Sequence, residues 1–131
     1  PVEADDLETL RRLHEANVLP IVVDESAERP ADLAPLLGCV AGINIKLCKC
    51  GGIRQALQMI HTARSLGMKV MLGCMVGSSL YISPAAQLSP LVDWLDLDGH
   101  LLLAEDTFEG LGCANGKLIL SEHAGLGVQP R

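Results

Sequence analysis

Five residues that could take part in acid–base or metal chemistry stand at the ends of short apolar runs. Asp24, Lys46 and Cys74 each close such a run, and Asp96 and Asp98 close a fourth. A charge at the end of an apolar run costs free energy unless it pairs with another group or binds something. We therefore expect these side chains to form a functional site, with a solvent-exposed strand end as the alternative for each one.

The residue types indicate which chemistry the site would carry out. A carboxylate such as Asp24 suits a hard divalent cation, and Mg²⁺ takes only a few protein carboxylates together with substrate oxygens. A lysine held beside such a cation and away from water releases its proton more readily, so Lys46 could act as a general base near neutral pH. Together they suit removal of a proton next to a carboxylate, with the metal stabilising the enediolate that develops.

The apolar runs recur at a regular interval. They begin near positions 21, 43, 69 and 94, which are 22, 26 and 25 residues apart. A strand followed by a helix at this spacing indicates right-handed βαβ units and a parallel sheet. In such sheets the carboxyl ends of the strands form the active face, and the candidate residues stand at those ends. The predicted fold class is therefore α/β.

Helical patterns separate the predicted strands. The first helix is expected to be capped by Asp5, and the second to run from about Pro30 to Leu37. The clearest pattern covers positions 53 to 66, and the fourth covers about 79 to 88 with Pro84 as an interruption or kink. The apolar face of the clearest helix is expected to consist of Ile53, Leu57, Ile60 and Ala63.

The number of units limits the architecture. About four βα units cannot close an eight-stranded barrel, which needs about 250 residues. The pattern fits either the second half of a (β/α)₈ barrel or a small open sheet of four strands, and periodicity does not separate the two. After Gly99, glycines punctuate short apolar runs such as residues 117–120, and we expect this end of the chain to be an irregular Gly-rich segment that can include a hairpin.

Composition narrows the classes of function. Apolar residues make up 49% of the 131 residues, and the net charge of −6 comes from scattered carboxylates without a basic stripe. A nucleic-acid partner is therefore not expected, and a membrane partner is not expected either, because no apolar run reaches roughly 18 residues. Five cysteines without a signal peptide predict reduced thiols in a cytoplasmic protein.

Several stretches resemble a known family. Residues 23–26 (VDES), 44–52 (NIKLCKCGG) and 73–78 (GCMVGS) follow one another at the intervals seen in enolase-superfamily enzymes of the muconate-lactonizing group. The Asp-x-Asp stretch at 96–99 (DLDG) is similar to the dipeptide epimerases within that group. The resemblance spans residues 1–131 and implies the C-terminal half of a barrel domain, without its N-terminal capping domain and first barrel strands.

The resemblance also implies a role for each candidate residue. Asp24 would be the third Mg²⁺-binding carboxylate, and Lys46 one of two lysines that face the substrate α-carbon from opposite sides. Asp96 and Asp98, on alternate strand positions that point the same way, would bind the α-ammonium of a dipeptide, and Cys74 would line the site. The implied reaction is epimerisation of L-Ala-D/L-Glu from cell-wall turnover, by a full-length protein that forms a homo-oligomer.

The start of the chain and the alternatives complete the expectations. Pro1 resembles a proline that lies two residues after a metal-binding Glu, which would place that Glu and the opposing lysine upstream. We therefore expect the 131-residue chain alone to bind Mg²⁺ weakly and not to epimerise. Two alternatives stay open: another reaction of the same group, such as cycloisomerisation or dehydration, and a non-catalytic α/β module that self-associates through exposed apolar edges.

Overall fold

Four parallel strands form the central sheet. The computed structural model describes residues 2–131, so the expectation for Pro1 lies outside the described residues. The strands are β1 (Val22–Val23), β2 (Gly42–Ile45), β3 (Lys69–Gly73) and β4 (Trp94–Asp96), and their order in the sheet is their order in the chain. This arrangement confirms the α/β fold with a parallel sheet and brings the carboxyl ends of all four strands to one edge.

The helices are α1 (Leu7–Ala16), α2 (Leu47–Cys50), α3 (Ile53–Ser65) and α4 (Ser79–Ala86). The cap of α1 is Asp6 rather than the predicted Asp5, because the Asp6 carboxylate accepts a hydrogen bond from the Thr9 amide at 3.0 Å. Pro84 lies inside α4 without ending it. No helix in the described part of the chain combines the length and apolar character that a membrane span requires.

The predicted second helix is wrong in type. Instead of one α-helix, the chain forms two short 3₁₀ helices, Pro30–Asp32 and Ala34–Leu36. Pro35 lies in the middle of the predicted helix, has no amide hydrogen and cannot donate to the preceding turn, so regular α-helical bonding stops there. The apolar residues Leu33 and Leu36 of this segment are nevertheless buried in the core.

The core lies between α3 and one face of the sheet. The buried residues of α3 are Ala56, Met59, Ile60 and Ala63. The predicted face was therefore half right, because Ile53 in the first turn is exposed and Leu57 is only partly buried. Opposite α3, the fully buried strand residues are Ile43, Ile45, Val70 and Leu72. Each such aliphatic side chain stabilises the fold by about 1.5–3 kcal/mol, so this layer anchors β2 and β3.

The C-terminal segment forms two small antiparallel sheets. Strand β5 (Phe108–Glu109) pairs with β8 (Gln129–Pro130), and β6 (Leu111–Ala114) pairs with β7 (Lys117–Leu120). A hairpin is present in this segment, formed by β6 and β7, and its turn is Asn115-Gly116, both with positive φ, as two-residue hairpin turns require. The Ser83 hydroxyl of α4 donates a hydrogen bond to the Leu126 carbonyl and so attaches this segment to α4.

Candidate functional site

The ends of β1 and β2 bring Asp24 and Lys46 together. The two strands pair in parallel with Val23 opposite Ile43, so the residues that follow them emerge side by side. Lys46 Nζ lies 2.7 Å from Asp24 Oδ2, and both side chains are largely shielded from solvent. The structure thus places in direct contact the two residues to which the resemblance gives metal binding and proton transfer.

A second lysine, which the sequence analysis did not single out, shares the same carboxylate. Lys49 Nζ lies 2.6 Å from Asp24 Oδ1 and 2.6 Å from Glu25 Oε1. Strand β2 ends at Ile45, just before Lys46, and α2 begins at Leu47. The Lys-x-x-Lys spacing could have indicated that both lysines reach one partner, because residues three apart on a helical turn face the same way.

These contacts set the charge of the site. Burial raises the pKa of Asp24, but the hydrogen bonds from Lys46 and Lys49 outweigh it and hold that pKa below its ordinary value. The hydrogen bonds to Asp24 and Glu25 raise the pKa of Lys49 above its usual range. Asp24 is therefore an anion with an ammonium group on each of its oxygens. A metal ion that used this carboxylate would take the place of one ammonium group.

Asn44 is a further neighbour that the sequence analysis missed. Its Nδ2 donates to Asp24 Oδ2 at 3.2 Å, the oxygen that also accepts from Lys46. Asn44 precedes Lys46 by two residues on β2, so both side chains leave the strand on the same face. Asn44 is the one polar residue of β2, whose other residues are apolar or glycine. A polar residue two positions before a strand-end lysine could have indicated this contact from the sequence.

Cys74 lies beside this cluster, where the sequence analysis expected it. A small cavity of about 10 Å³ is lined by Lys46, Gly73, Cys74 and Tyr81, among others. Burial raises the pKa of the Cys74 thiol, and the nearby carboxylates of Asp96 and Asp98 raise it further. The thiol is therefore protonated at neutral pH, which does not favour a nucleophilic role.

Asp96 and Asp98 lie together at the end of β4, but not both on the strand. The predicted strand was too long: β4 ends at Asp96, and Asp98 is the helical-φ/ψ residue that opens the 3₁₀ helix Gly99–Leu102. Asp96 and Asp98 therefore do not lie on alternate positions of one strand, contrary to expectation. Both aspartates are exposed and line one cavity of about 190 Å³, whose other wall includes Leu101 and Leu118.

The donor set can be compared with the needs of Mg²⁺. Asp24 offers a hard carboxylate, the type of ligand that Mg²⁺ prefers, and a metal ion would have to displace one of the two ammonium groups on its oxygens. Among residues 2–131, no group of three or more His, Cys, Asp or Glu side chains is placed to hold a metal ion. Asp24 therefore fits Mg²⁺ as one ligand, and further ligands would have to come from substrate, water or other protein groups.

Comparisons with known proteins agree with this architecture. A family model described as "Enolase C-terminal domain-like" matches residues 1–131. The L-Ala-D/L-Glu epimerase of Bacteroides thetaiotaomicron is 45% identical over 98% of this chain and 33% of its own length. The L-Ala-D/L-amino acid epimerase of Flavobacterium johnsoniae is 40% identical over 98% of this chain and 38% of its own. The chain thus spans about a third of the length of these curated relatives.

Solved structures show the same fold at high similarity. A mandelate racemase/muconate lactonizing enzyme from Roseiflexus sp. has a TM-score of 0.91 and 39% identity, covering 100% of this chain and 39% of that one. The substrate-liganded L-Ala-D/L-Glu epimerase from Bacillus subtilis has a TM-score of 0.90 and 32% identity, over 98% and 37%. A Methylococcus capsulatus dipeptide epimerase complexed with Mg and L-Arg-D-Lys has a TM-score of 0.89 and 36% identity, over 98% and 38%. The predicted half-barrel architecture is confirmed.

Proposed function

Because this chain belongs to the enolase C-terminal domain-like family, we propose that it is part of a Mg²⁺-dependent dipeptide epimerase acting on L-Ala-D/L-Glu or a similar dipeptide. The observation that carries the proposal is the contact between Asp24 and Lys46, 2.7 Å apart at the carboxyl ends of neighbouring strands. A carboxylate for the metal and a lysine for the proton are the two groups that proton transfer next to a carboxylate needs.

Lys46 would exchange the proton at the substrate α-carbon. Its ammonium group is held by Asp24, and its side chain is only 17% exposed, so the aspartate fixes its direction and the surrounding protein limits water around it. Asp24 would hold Mg²⁺, which when bound stabilises negative charge that develops on the substrate carboxylate. Lys49 would keep an ion pair with Glu25 if the metal displaces it from Asp24.

Asp96 and Asp98 would bind the α-ammonium group of the dipeptide. Both carboxylates are exposed at the end of the edge strand and line one cavity, so a substrate cation can reach them from solvent. A charge-assisted pair of hydrogen bonds would orient the dipeptide. Cys74, which lines a small cavity with Lys46, would form an apolar part of the wall that lies against the substrate.

Proton exchange in D₂O tests the proposal. Full-length protein containing this chain would be incubated with Mg²⁺ and L-Ala-L-Glu, and proton NMR would follow the Glu α-proton. We expect exchange in the wild type and a loss of about 10²–10⁴-fold for Lys46→Ala, while Lys117→Ala, at an exposed hairpin lysine, keeps the wild-type rate. Absence of exchange in the wild type with any dipeptide would refute an epimerase.

Substrate specificity needs a separate comparison. The double variant Asp96→Asn/Asp98→Asn should raise KM for L-Ala-L-Glu, because the ammonium group loses both anionic partners. N-acetyl-L-Ala-L-Glu has no ammonium group, so any exchange of that compound should be unaffected by the double substitution. Equal losses for both compounds would mean that the two aspartates do not recognise the amine, and would favour a different carboxylate substrate with the same proton chemistry.

A further inference from the structure

We propose that Asn44 is a positioning residue for Asp24, held in a slot that Gly73 leaves open on the neighbouring strand. Asn44 lies opposite Met71 in the pairing of β2 with β3, and Gly73 is two residues further along β3. The proposal rests on the metal-holding role proposed for Asp24, whereas the slot itself is a matter of packing and can be tested separately.

The need for glycine at position 73 is one of space. An added Cβ on Gly73 would lie 2.7 Å from Asn44 Oδ1 and 2.8 Å from Asn44 Nδ2, closer than real Cβ contacts allow. Gly73 does not have a positive φ, so its backbone conformation would accept any residue. The missing side chain therefore leaves the space that the Asn44 amide occupies next to Gly73.

Asp24 sets the orientation of that amide. With Nδ2 toward Asp24 Oδ2, the amide donates at 3.2 Å to a carboxylate oxygen. The reversed amide would place its carbonyl oxygen against that anion, two acceptors without a proton between them. Asn44 and Lys46 thus hold the same oxygen of Asp24 from two directions, which restricts rotation of the carboxylate.

The amide is not well placed for stability alone. Asn44 Oδ1 is buried and has no hydrogen-bond partner among residues 2–131, and a buried acceptor without a donor costs free energy. A small apolar residue would avoid that cost and would lose only the hydrogen bond to Asp24. The presence of Asn at this point therefore favours a role in orienting Asp24 over a role in holding the strands together.

A double-mutant cycle tests the slot. Gly73→Ala should lower the urea midpoint of unfolding in the wild-type background and leave it nearly unchanged in the Asn44→Ala background, where the slot is vacant. Gly112→Ala is the matched control, since its added Cβ would meet nothing closer than 3.6 Å. The same decrease for Gly73→Ala in both backgrounds would show that the effect does not depend on Asn44 and would refute the proposed packing of its amide against Gly73.

Mn²⁺ as a paramagnetic probe tests the positioning role, because line broadening detects weak binding. In the wild-type chain, Mn²⁺ should broaden NMR signals next to Asp24, and Asp24→Asn should abolish this. Asn44→Ala should fold with an unchanged urea midpoint but require about fivefold more Mn²⁺ for equal broadening, the factor for one ordinary hydrogen bond. Gly73→Ala should also require about fivefold more Mn²⁺ for equal broadening, because its added methyl group displaces the Asn44 amide from Asp24.

The outcomes separate this inference from the proposed function. Equal broadening in wild type and Asn44→Ala, or no broadening near Asp24 in the wild type, overturns the positioning role even if the full-length protein exchanges the dipeptide proton. Dependence on Asn44 without any dipeptide exchange would support the positioning role and reject the epimerase.

Discussion

Replacing Asp93 with Asn would remove the charge that ties the start of β4 to its neighbours while keeping the shape of the side chain. Asp93 Oδ2 accepts from Arg64 Nη1 at 2.6 Å and from the Val70 amide at 2.9 Å, and its Oδ1 accepts from Lys69 Nζ at 2.9 Å. The residue therefore joins α3 and β3 to the strand that ends in Asp96. A loss of this charge should weaken the edge of the sheet.

The size of the effect follows from the pKa of Asp93. Burial raises it, but the hydrogen bonds from Val70, Lys69 and Arg64 outweigh burial and lower it from 3.8 to about 2. At full strength this difference corresponds to roughly 2.4 kcal/mol. Arg64 and Lys69 are 38% and 56% exposed, so solvent screens both ion pairs, and we expect about 1 kcal/mol.

The sign of the pH dependence is set by the same numbers. The pKa of Asp93 is lower in the folded state than in the unfolded chain, so its contribution is fully present above pH 3.8 and is lost as the pH falls through about 2. Asp93→Asn should therefore lower the free energy of unfolding by about 1 kcal/mol at pH 7 and by roughly half as much at pH 3.

Urea unfolding, followed by the fluorescence of the single tryptophan, Trp94 on β4, measures this difference at both pH values. Asp5→Asn, at an exposed carboxylate outside the sheet, is the control and should be neutral. An equal cost of Asp93→Asn at pH 7 and pH 3 would refute the ion-pair explanation. No cost at pH 7 would show that solvent screening removes it entirely.

Two further predictions concern the C-terminal segment. Asp106→Ala should destabilise the fold by about 1–3 kcal/mol, because Asp106 accepts hydrogen bonds from the amide and hydroxyl of Ser79 at 2.7 and 2.6 Å. Hydrogen exchange at the Ser79 amide should become faster. Unchanged protection of that amide would contradict the prediction. Gly110→Ala should detach β8 from β5, since an added Cβ would collide with the Gly127 carbonyl oxygen. Limited proteolysis between the β6–β7 hairpin and the C-terminus should then be faster than in the wild type. Resistance to proteolysis equal to that of the wild type would contradict the predicted clash.

The family and the fold class were open to prediction because both depend on local patterns. Apolar runs at a steady interval predicted parallel βα units, and the family match over residues 1–131 confirms the resemblance found at residues 23–26, 44–52 and 73–78. The predicted secondary structure was wrong at two places where local backbone geometry departs from the periodic pattern. Pro35 replaced a predicted α-helix with 3₁₀ turns, and the 3₁₀ helix after Asp98 shortened β4.

By itself, the sequence determined that Asp24, Lys46, Cys74, Asp96 and Asp98 stand at strand ends on one edge of a parallel sheet, because strand direction and chain order suffice for that. Only the tertiary structure decided which of them touch. The ion pairs of Lys46 and Lys49 with Asp24, and the Asn44 amide over Gly73, depend on strand register and side-chain rotamers. Register and rotamers are set by packing between side chains across the sheet, and the periodicity of the sequence does not contain that information.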